Sequence, residues 1–182
     1  KAQGERNAQR TGSPKIRFGK RIPVNDSEIQ NPQSRIKDRQ PASRPANPLI
    51  LAIETSCDET AVAIARGTAE IVASSIASQV AIHRPYGGVV PEVASREHNR
   101  DLRPLIEHTL SEADISIDEI DAVAATSGPG LASSLLVGNT TAKALAVALG
   151  RPYHSINHLE GHLLSPFIDD PAGVRPCIAL IV

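Results

Sequence analysis

The apolar positions follow two periods along the chain. Residues 49–54, Leu-Ile-Leu-Ala-Ile-Glu, form a continuous apolar run closed by an acid, which predicts a fully buried strand. Residues 60–66 predict a second strand, and Gly67-Thr68 turns the chain into a third around residues 70–77. Three strands joined by short turns make an antiparallel meander. The period then lengthens. Over residues 92–110, Leu102, Leu105, Ile106 and Leu110 share one helical face, and Pro104 is expected to kink that helix or divide it in two. Residues 121–126 read as a short strand. Gly128-Pro129-Gly130 then opens the most regular helix, where Leu131, Leu135, Gly138, Ala142, Leu145 and Leu149 step by fours and threes into one buried stripe. Pro129 suits its first turn, and Gly150 followed by Pro152 closes it. Residues 152–156 predict another strand. Asn157 caps a short helix backed by Leu159, Leu163 and Leu164, and residues 176–182 are expected to begin one more strand.

Alternation of strand and helix after a meander is the α/β pattern of a mixed sheet flanked by helices. It is also the element order of the ribonuclease-H-like half-domain shared by actin, the heat-shock ATPases and sugar kinases (the ASKHA fold), in which two halves clamp a nucleotide. The expected division is a disordered extension over 1–47, a first subdomain over 48–175, and the first strand of a second subdomain over 176–182.

Charge changes the picture at one end. Residues 1–47 carry eleven Lys/Arg against four Asp/Glu, a net of +7, while the remainder carries eight against sixteen. With five prolines, one Phe and few aliphatics, the first stretch buries too little apolar surface to offset its chain entropy, and disorder is expected. A basic arm of this kind suits contact with RNA, a solubilising extension is the plainer reading, and Glu5, Asp26, Glu28 and the prolines argue against a mitochondrial transit peptide. The chain starts at Lys1, lacks Met and ends in the apolar run Ala179–Val182, so it reads as part of a longer protein. It has no 18-residue apolar run, and no membrane span is expected. Cys57 and Cys177 are too few and too far apart for a disulfide scaffold, which suits a reducing cytoplasm.

Three stretches carry candidate chemistry. His158 and His162 stand four apart on one helix, so both imidazoles point the same way and are able to reach one metal ion. Glu160 sits two residues after His158, about 100° around the helix from the general base of a zinc protease, so proteolysis is not implied. Two ligands are too few, and the plainer reading is one core and one solvated histidine. The turn Thr55-Ser56-Cys57-Asp58-Glu59-Thr60 offers hydroxyls and backbone N–H groups for phosphate and two carboxylates for a metal or for base chemistry; an acidic surface turn is the plainer alternative. Cys57 is expected to be a small buried side chain. Ser127-Gly128-Pro129-Gly130 places a helix N-terminus at a strand end, a favourable place for an anion or merely a sharp turn. Gly87-Gly88 permits close approach to a ligand or, more simply, a tight turn.

Taken together, Ile53–Thr60, the run Gly87-Gly88-Val89-Val90-Pro91-Glu92-Val93-Ala94-Ser95-Arg96, Gly128–Leu131 and His158–His162 resemble, in order and spacing, the TsaD (Kae, Qri) family, with the resemblance running from about Leu49 to Val182. That resemblance implies two actin-like halves and transfer of a threonylcarbamoyl group from threonylcarbamoyl-AMP to N6 of adenosine 37 in tRNAs that read codons beginning with A. It implies that His158 and His162 are two ligands of an iron or zinc ion. A third ligand, an aspartate, and the adenylate-contacting Ser-Gly-Gly-His-Thr loop are expected beyond Val182, so this chain alone is expected to be inactive. It further implies substrate contacts from Thr55, Ser56, Gly128, Pro129 and Gly130, acid–base help from Asp58 or Glu59, and partners comprising tRNA, a TsaB-like scaffold paralogue and a TsaE-like ATPase. The competing expectations are an ATPase or sugar kinase on the same fold and a non-catalytic scaffold paralogue; the histidine pair disfavours both.

Overall fold

The computed structural model describes residues 45–68, 70–168, 170 and 173–180. The predicted disorder of the basic extension therefore lies, up to residue 44, outside the described residues. Five strands form one sheet in the order β3-β2-β1-β4-β5. They are β1 (Leu49–Glu54), β2 (Glu59–Arg66), β3 (Glu70–Ser78), β4 (Ala122–Gly128) and β5 (Tyr153–Asn157). The meander pairs antiparallel, and β1–β4 and β4–β5 pair parallel, so the sheet is mixed as the alternation predicted. The helices are α1 (Val80–His83), α2 (Pro91–Glu112), α3 (Ala132–Leu149) and α4 (His158–Leu164).

Residues two apart on a strand share a face, and the register makes those faces continuous. Leu51 sits between Ile64 and Val123, and these three join Ile53, Val62, Leu102, Ile106, Ala142 and Ala146 in the core under α2 and α3. On the other face Ala52 sits between Ala63 and Ala124, and this row of methyl groups floors a shallow apolar hollow reaching Glu54 and Ile156. The hydrophobic effect thus fixes which way Glu54 points, because its register places it with Ala52 and away from the core.

Several expectations are corrected. Pro104 lies inside α2, which runs undivided from Pro91 to Glu112. Its ring removes one backbone donor on an exposed side of the helix, and burial of Ala94, His98, Leu102, Ile106 and Thr109 along the other side holds the run together. Pro129 is not in a first helical turn, since α3 starts at Ala132. The Leu131 N–H is bonded to the Ser56 carbonyl at 2.8 Å, which keeps Leu131 extended and delays the helix. The buried line of α3 is Ser134, Gly138, Ala142 and Ala146, with the leucines flanking it. α3 has the length and mean hydropathy (1.2) to cross a membrane, and it packs on β4, β1 and α2 through that line of small residues. Leu159, Leu163 and Leu164 on α4 are exposed. Residues 176–180 form no strand: they have no ladder partner in the sheet among the described residues, and an unpaired segment keeps its backbone groups in water.

Candidate functional site

The parallel strands β1, β4 and β5 all run toward one edge, ending at Glu54, Gly128 and Asn157. In open α/β sheets ligands bind outside the carboxyl ends of parallel strands, and that edge is where the candidate chemistry collects. A hollow there is lined by Glu54, Thr126, Ile156, Asn157, His158, Gly161 and His162.

Asn157 builds α4. Its side-chain oxygen accepts from the N–H groups of Leu159 at 2.9 Å and Glu160 at 3.2 Å, two of the donors a helix start leaves unpaired. The cap fixes the rotation of the helix and brings His158 and His162 to the hollow. Their Nε2 atoms are 3.1 Å apart and the rings meet edge to face, with centroids 4.5 Å apart. Two imidazole nitrogens sharing one tetrahedral metal at about 2.05 Å would be about 3.3 Å apart, so the spacing could accommodate one ion as well as a hydrogen bond between the rings. The other nitrogen of His158 is also held. Its Nδ1 lies 3.2 Å from Ser56 Oγ and 3.8 Å from Glu54 Oε2. With Nε2 free as a ligand, the proton is on Nδ1 and Ser56 Oγ accepts it, the arrangement that orients metal-binding histidines. Glu54 in turn accepts the Ser56 N–H at 2.5 Å. Among the described residues no group of three or more His, Cys, Asp or Glu side chains converges, so this pair could supply at most two ligands of a metal site.

Thr55 and Ser56 are buried, at 1% and 2% exposure. The Thr55 hydroxyl donates to the Ser134 carbonyl at 2.8 Å and accepts from the Gly138 N–H at 3.1 Å, so it locks the turn after β1 to α3. Ser56 reaches His158 through its hydroxyl and α3 through its carbonyl. Gly130 permits that second contact, because a Cβ there would lie 2.7 Å from the Ser56 carbonyl oxygen. Gly128, at φ +143, ends β4 in a conformation that favours glycine, and Pro129 and Gly130 are exposed beyond it.

Asp58 and Glu59 stand apart from the histidine pair in their surroundings. Asp58 lines a second hollow with Val80, His83, Arg84, Gly87, Gly88 and Val89, and Glu59 is the exposed first residue of β2. Gly87 makes the turn of that loop at φ +71, while a Cβ on Gly88 would meet open space. Cys57 is exposed, contrary to expectation, because the turn directs it outward. Partial desolvation and the neighbouring Asp58 carboxylate push its thiol pKa up, away from that of a nucleophile.

Sequence reasoning missed Glu54, whose partner stands 104 residues away, and a buried group of Gln79, His83 and His98. The signal for His98 was present: with Ala94, Leu102 and Ile106 it completes a step of four along α2, a polar residue at a core position.

The model of the family described as TsaD, tRNA N6-adenosine threonylcarbamoyltransferase, matches residues 70–182. The tRNA N6-adenosine threonylcarbamoyltransferase of Pelobacter propionicus is 52% identical over 134 residues, covering 74% of this chain and 39% of its own length. The protein of that name from Nitrosospira multiformis matches with the same identity and coverage. The chain thus spans about two fifths of the length of the curated relatives it matches. Among solved structures, YeaZ from Pseudomonas aeruginosa superposes with a TM-score of 0.50 at 25% identity, covering 65% of this chain and 46% of that one. The likeness fits an actin-like α/β half-domain.

Proposed function

This chain belongs to the TsaD family of tRNA N6-adenosine threonylcarbamoyltransferases, and on that premise we propose that the protein transfers the threonylcarbamoyl group of threonylcarbamoyl-AMP to N6 of adenosine 37 in tRNAs that read codons beginning with A. The observation that carries the reading is the convergence of the His158 and His162 Nε2 atoms, 3.1 Å apart, at the carboxyl edge of the sheet with Ser56 and Glu54 behind them.

In this reaction the adenosine amine attacks the carbamoyl carbon, the bond from that carbon to the adenylate phosphate oxygen breaks, AMP leaves and the amine gives up a proton. His158 and His162 would hold one iron or zinc ion, which would supply Lewis-acid polarisation of a carbonyl. Ser56 and Glu54 orient His158 from its far side. Gly128, Pro129 and Gly130 present an exposed backbone beside the hollow, suited to the phosphate of the adenylate. The resemblance assigns removal of the amine proton to Asp58 or Glu59, which stand outside the histidine hollow. Glu59→Gln is expected to lower the chemical rate while leaving adenylate binding intact, read from single-turnover kinetics beside a binding isotherm. The partners in this reading are tRNA, a TsaB-like scaffold paralogue and a TsaE-like ATPase, and the compartment is a reducing cytoplasm, which suits two free, exposed cysteines.

The test is metal content by mass spectrometry on the full-length protein and on its His158→Ala/His162→Ala double variant, beside an assay for modified adenosine. Near-stoichiometric iron or zinc that disappears in the variant, together with modification by the parent protein, supports the transferase. Absence of metal from both, with ATP binding retained, moves the assignment to a kinase-like ATPase.

A further inference from the structure

Beneath the acidic turn lies a chain of hydrogen bonds with only one possible polarity. The Val90 N–H reaches His83 Nδ1 at 3.4 Å, and His83 Nε2 reaches Gln79 Oε1 at 3.0 Å. Gln79 Nε2 reaches His98 Nδ1 at 3.2 Å, and His98 Nε2 reaches the Cys57 carbonyl at 3.1 Å. A backbone N–H can only donate and a carbonyl can only accept, so both ends fix every link between them. Each histidine must therefore be the neutral Nε2–H tautomer, with Nδ1 accepting. With that tautomer the Thr60 hydroxyl, 2.8 Å from His98 Nδ1, shares the single Nδ1 lone pair with Gln79, whose Nε2 also reaches the Ala94 carbonyl at 3.3 Å. Gln79, His83 and His98 are at most 3% exposed. A buried polar network that is fully paired specifies one arrangement, and breaking a link leaves a buried group unpaired.

The two ends of this chain are sequence neighbours of residues that line the Asp58 hollow, Cys57 beside Asp58 and Val90 beside Val89. Cys57 precedes the carboxylates of Asp58 and Glu59, Val90 ends the Gly87–Val90 loop, and the Asp58 carbonyl is tied to the same group through the Gln79 N–H at 2.9 Å. We propose that His98 is a positioning residue: through the Cys57 carbonyl on one side and Gln79–His83 on the other, it sets where Asp58 and Glu59 stand relative to the Gly87–Val90 loop. Its effect on turnover rests on the proposed transferase reading. The anchoring itself does not.

Two measurements test the anchoring without turnover. Nitrogen-15 NMR of the wild-type imidazoles is expected to find His98 neutral at pH 7 with its proton on Nε2; an Nδ1–H tautomer or an imidazolium overturns the proposal. In a Cys177→Ser background, Cys57 serves as an exposed reporter on the turn. His98→Leu is expected to raise its alkylation by iodoacetamide about fivefold, the scale of one lost hydrogen bond, whereas His98→Gln, which keeps an amide N–H within reach of Cys57, stays near the parent rate. Equal rates in all three proteins overturn the proposal even if His98→Leu melts lower. If His98→Leu fails to fold, the NMR result and the His98→Gln rate decide. In the modification assay His98→Leu is expected to lower kcat with adenylate KM unchanged; the reverse split overturns the positioning role. A full-length parent protein that forms no modified adenosine while the reporter behaves as expected removes the transferase reading and leaves the anchor standing.

Discussion

A methyl group on Gly130 would lie 2.7 Å from the Ser56 carbonyl oxygen and 2.8 Å from its Cβ, and neither is the free end of a flexible side chain. Gly130→Ala should therefore cost about 1–3 kcal/mol in urea unfolding and pull Ser56 away from His158. Gly161, four residues from Asn157 in the same hollow, is the control: its Cβ would meet nothing within 4 Å, and alanine there should stabilise α4 by up to about 1 kcal/mol. His98 carries a pH dependence of its own. Burial lowers its pKa below the ordinary 6.5, with the bond to Cys57 opposing the shift, so near and below that pH the unfolded chain binds a proton that the folded chain refuses. Its contribution is complete above 6.5 and is lost as pH falls through the lowered folded value. Urea midpoints compared between about pH 7.5 and about pH 5 should fall further for the parent than for His98→Gln, and equal falls would remove His98 as the cause.

At the scale of elements, α3 seats itself through its smallest side chains. Ser134, Gly138, Ala142 and Ala146 form the buried line, and the Gly138 position leaves only 2.4 Å between a would-be Cβ and Thr55 Oγ1. Ala142→Leu should cost about 1–3 kcal/mol by overpacking, while Val147→Ala, at a site 82% exposed, should change stability by no more than about 0.5 kcal/mol; calorimetric melting of both variants checks the contrast. Most elements were legible because hydrophobic period reports burial directly. Gly150 closes α3 in the left-handed conformation and Asn157 caps α4, as expected, and Leu49–Glu54 is a strand; it is not fully buried, since Ile50, Ala52 and Glu54 lie on the half-buried face. The start of α3 was not legible, because the residue that delays it, Ser56, is distant in sequence. The histidine pair was visible as a spacing of four, but its orienting partners Glu54 and Ser56 had to be placed by sheet register first. Residues 176–180 had strand composition without a strand to pair with, and composition alone does not supply a ladder.

At the scale of the whole molecule, the sheet divides its labour between faces and edges. One face carries the core under α2 and α3; the other is a row of alanines leading to the histidine hollow. α4 stands at the rim with Leu159, Leu163 and Leu164 at 40–48% exposure, so it is held by its cap and its connection to β5 more than by buried side chains. Leu163→Ser should accordingly shift the unfolding midpoint of this chain by no more than the equivalent of about 0.5 kcal/mol. The separation of the two hollows also divides the predicted phenotypes: substitutions around His158 should alter metal content, and substitutions around His98 should alter the reactivity of Cys57 with metal content unchanged.

The central place of β1 has a consequence for how the chain is made. It is the first strand among the described residues, and its antiparallel partner β2 follows within a few residues, but its parallel partner β4 begins only at Ala122. As synthesis proceeds, one side of β1 closes early into a hairpin while the other, with its row of unpaired N–H and C=O groups, waits for some seventy residues to emerge. The long interval leaves this edge open to pairing with another nascent chain, a place where a chaperone would shield the protein.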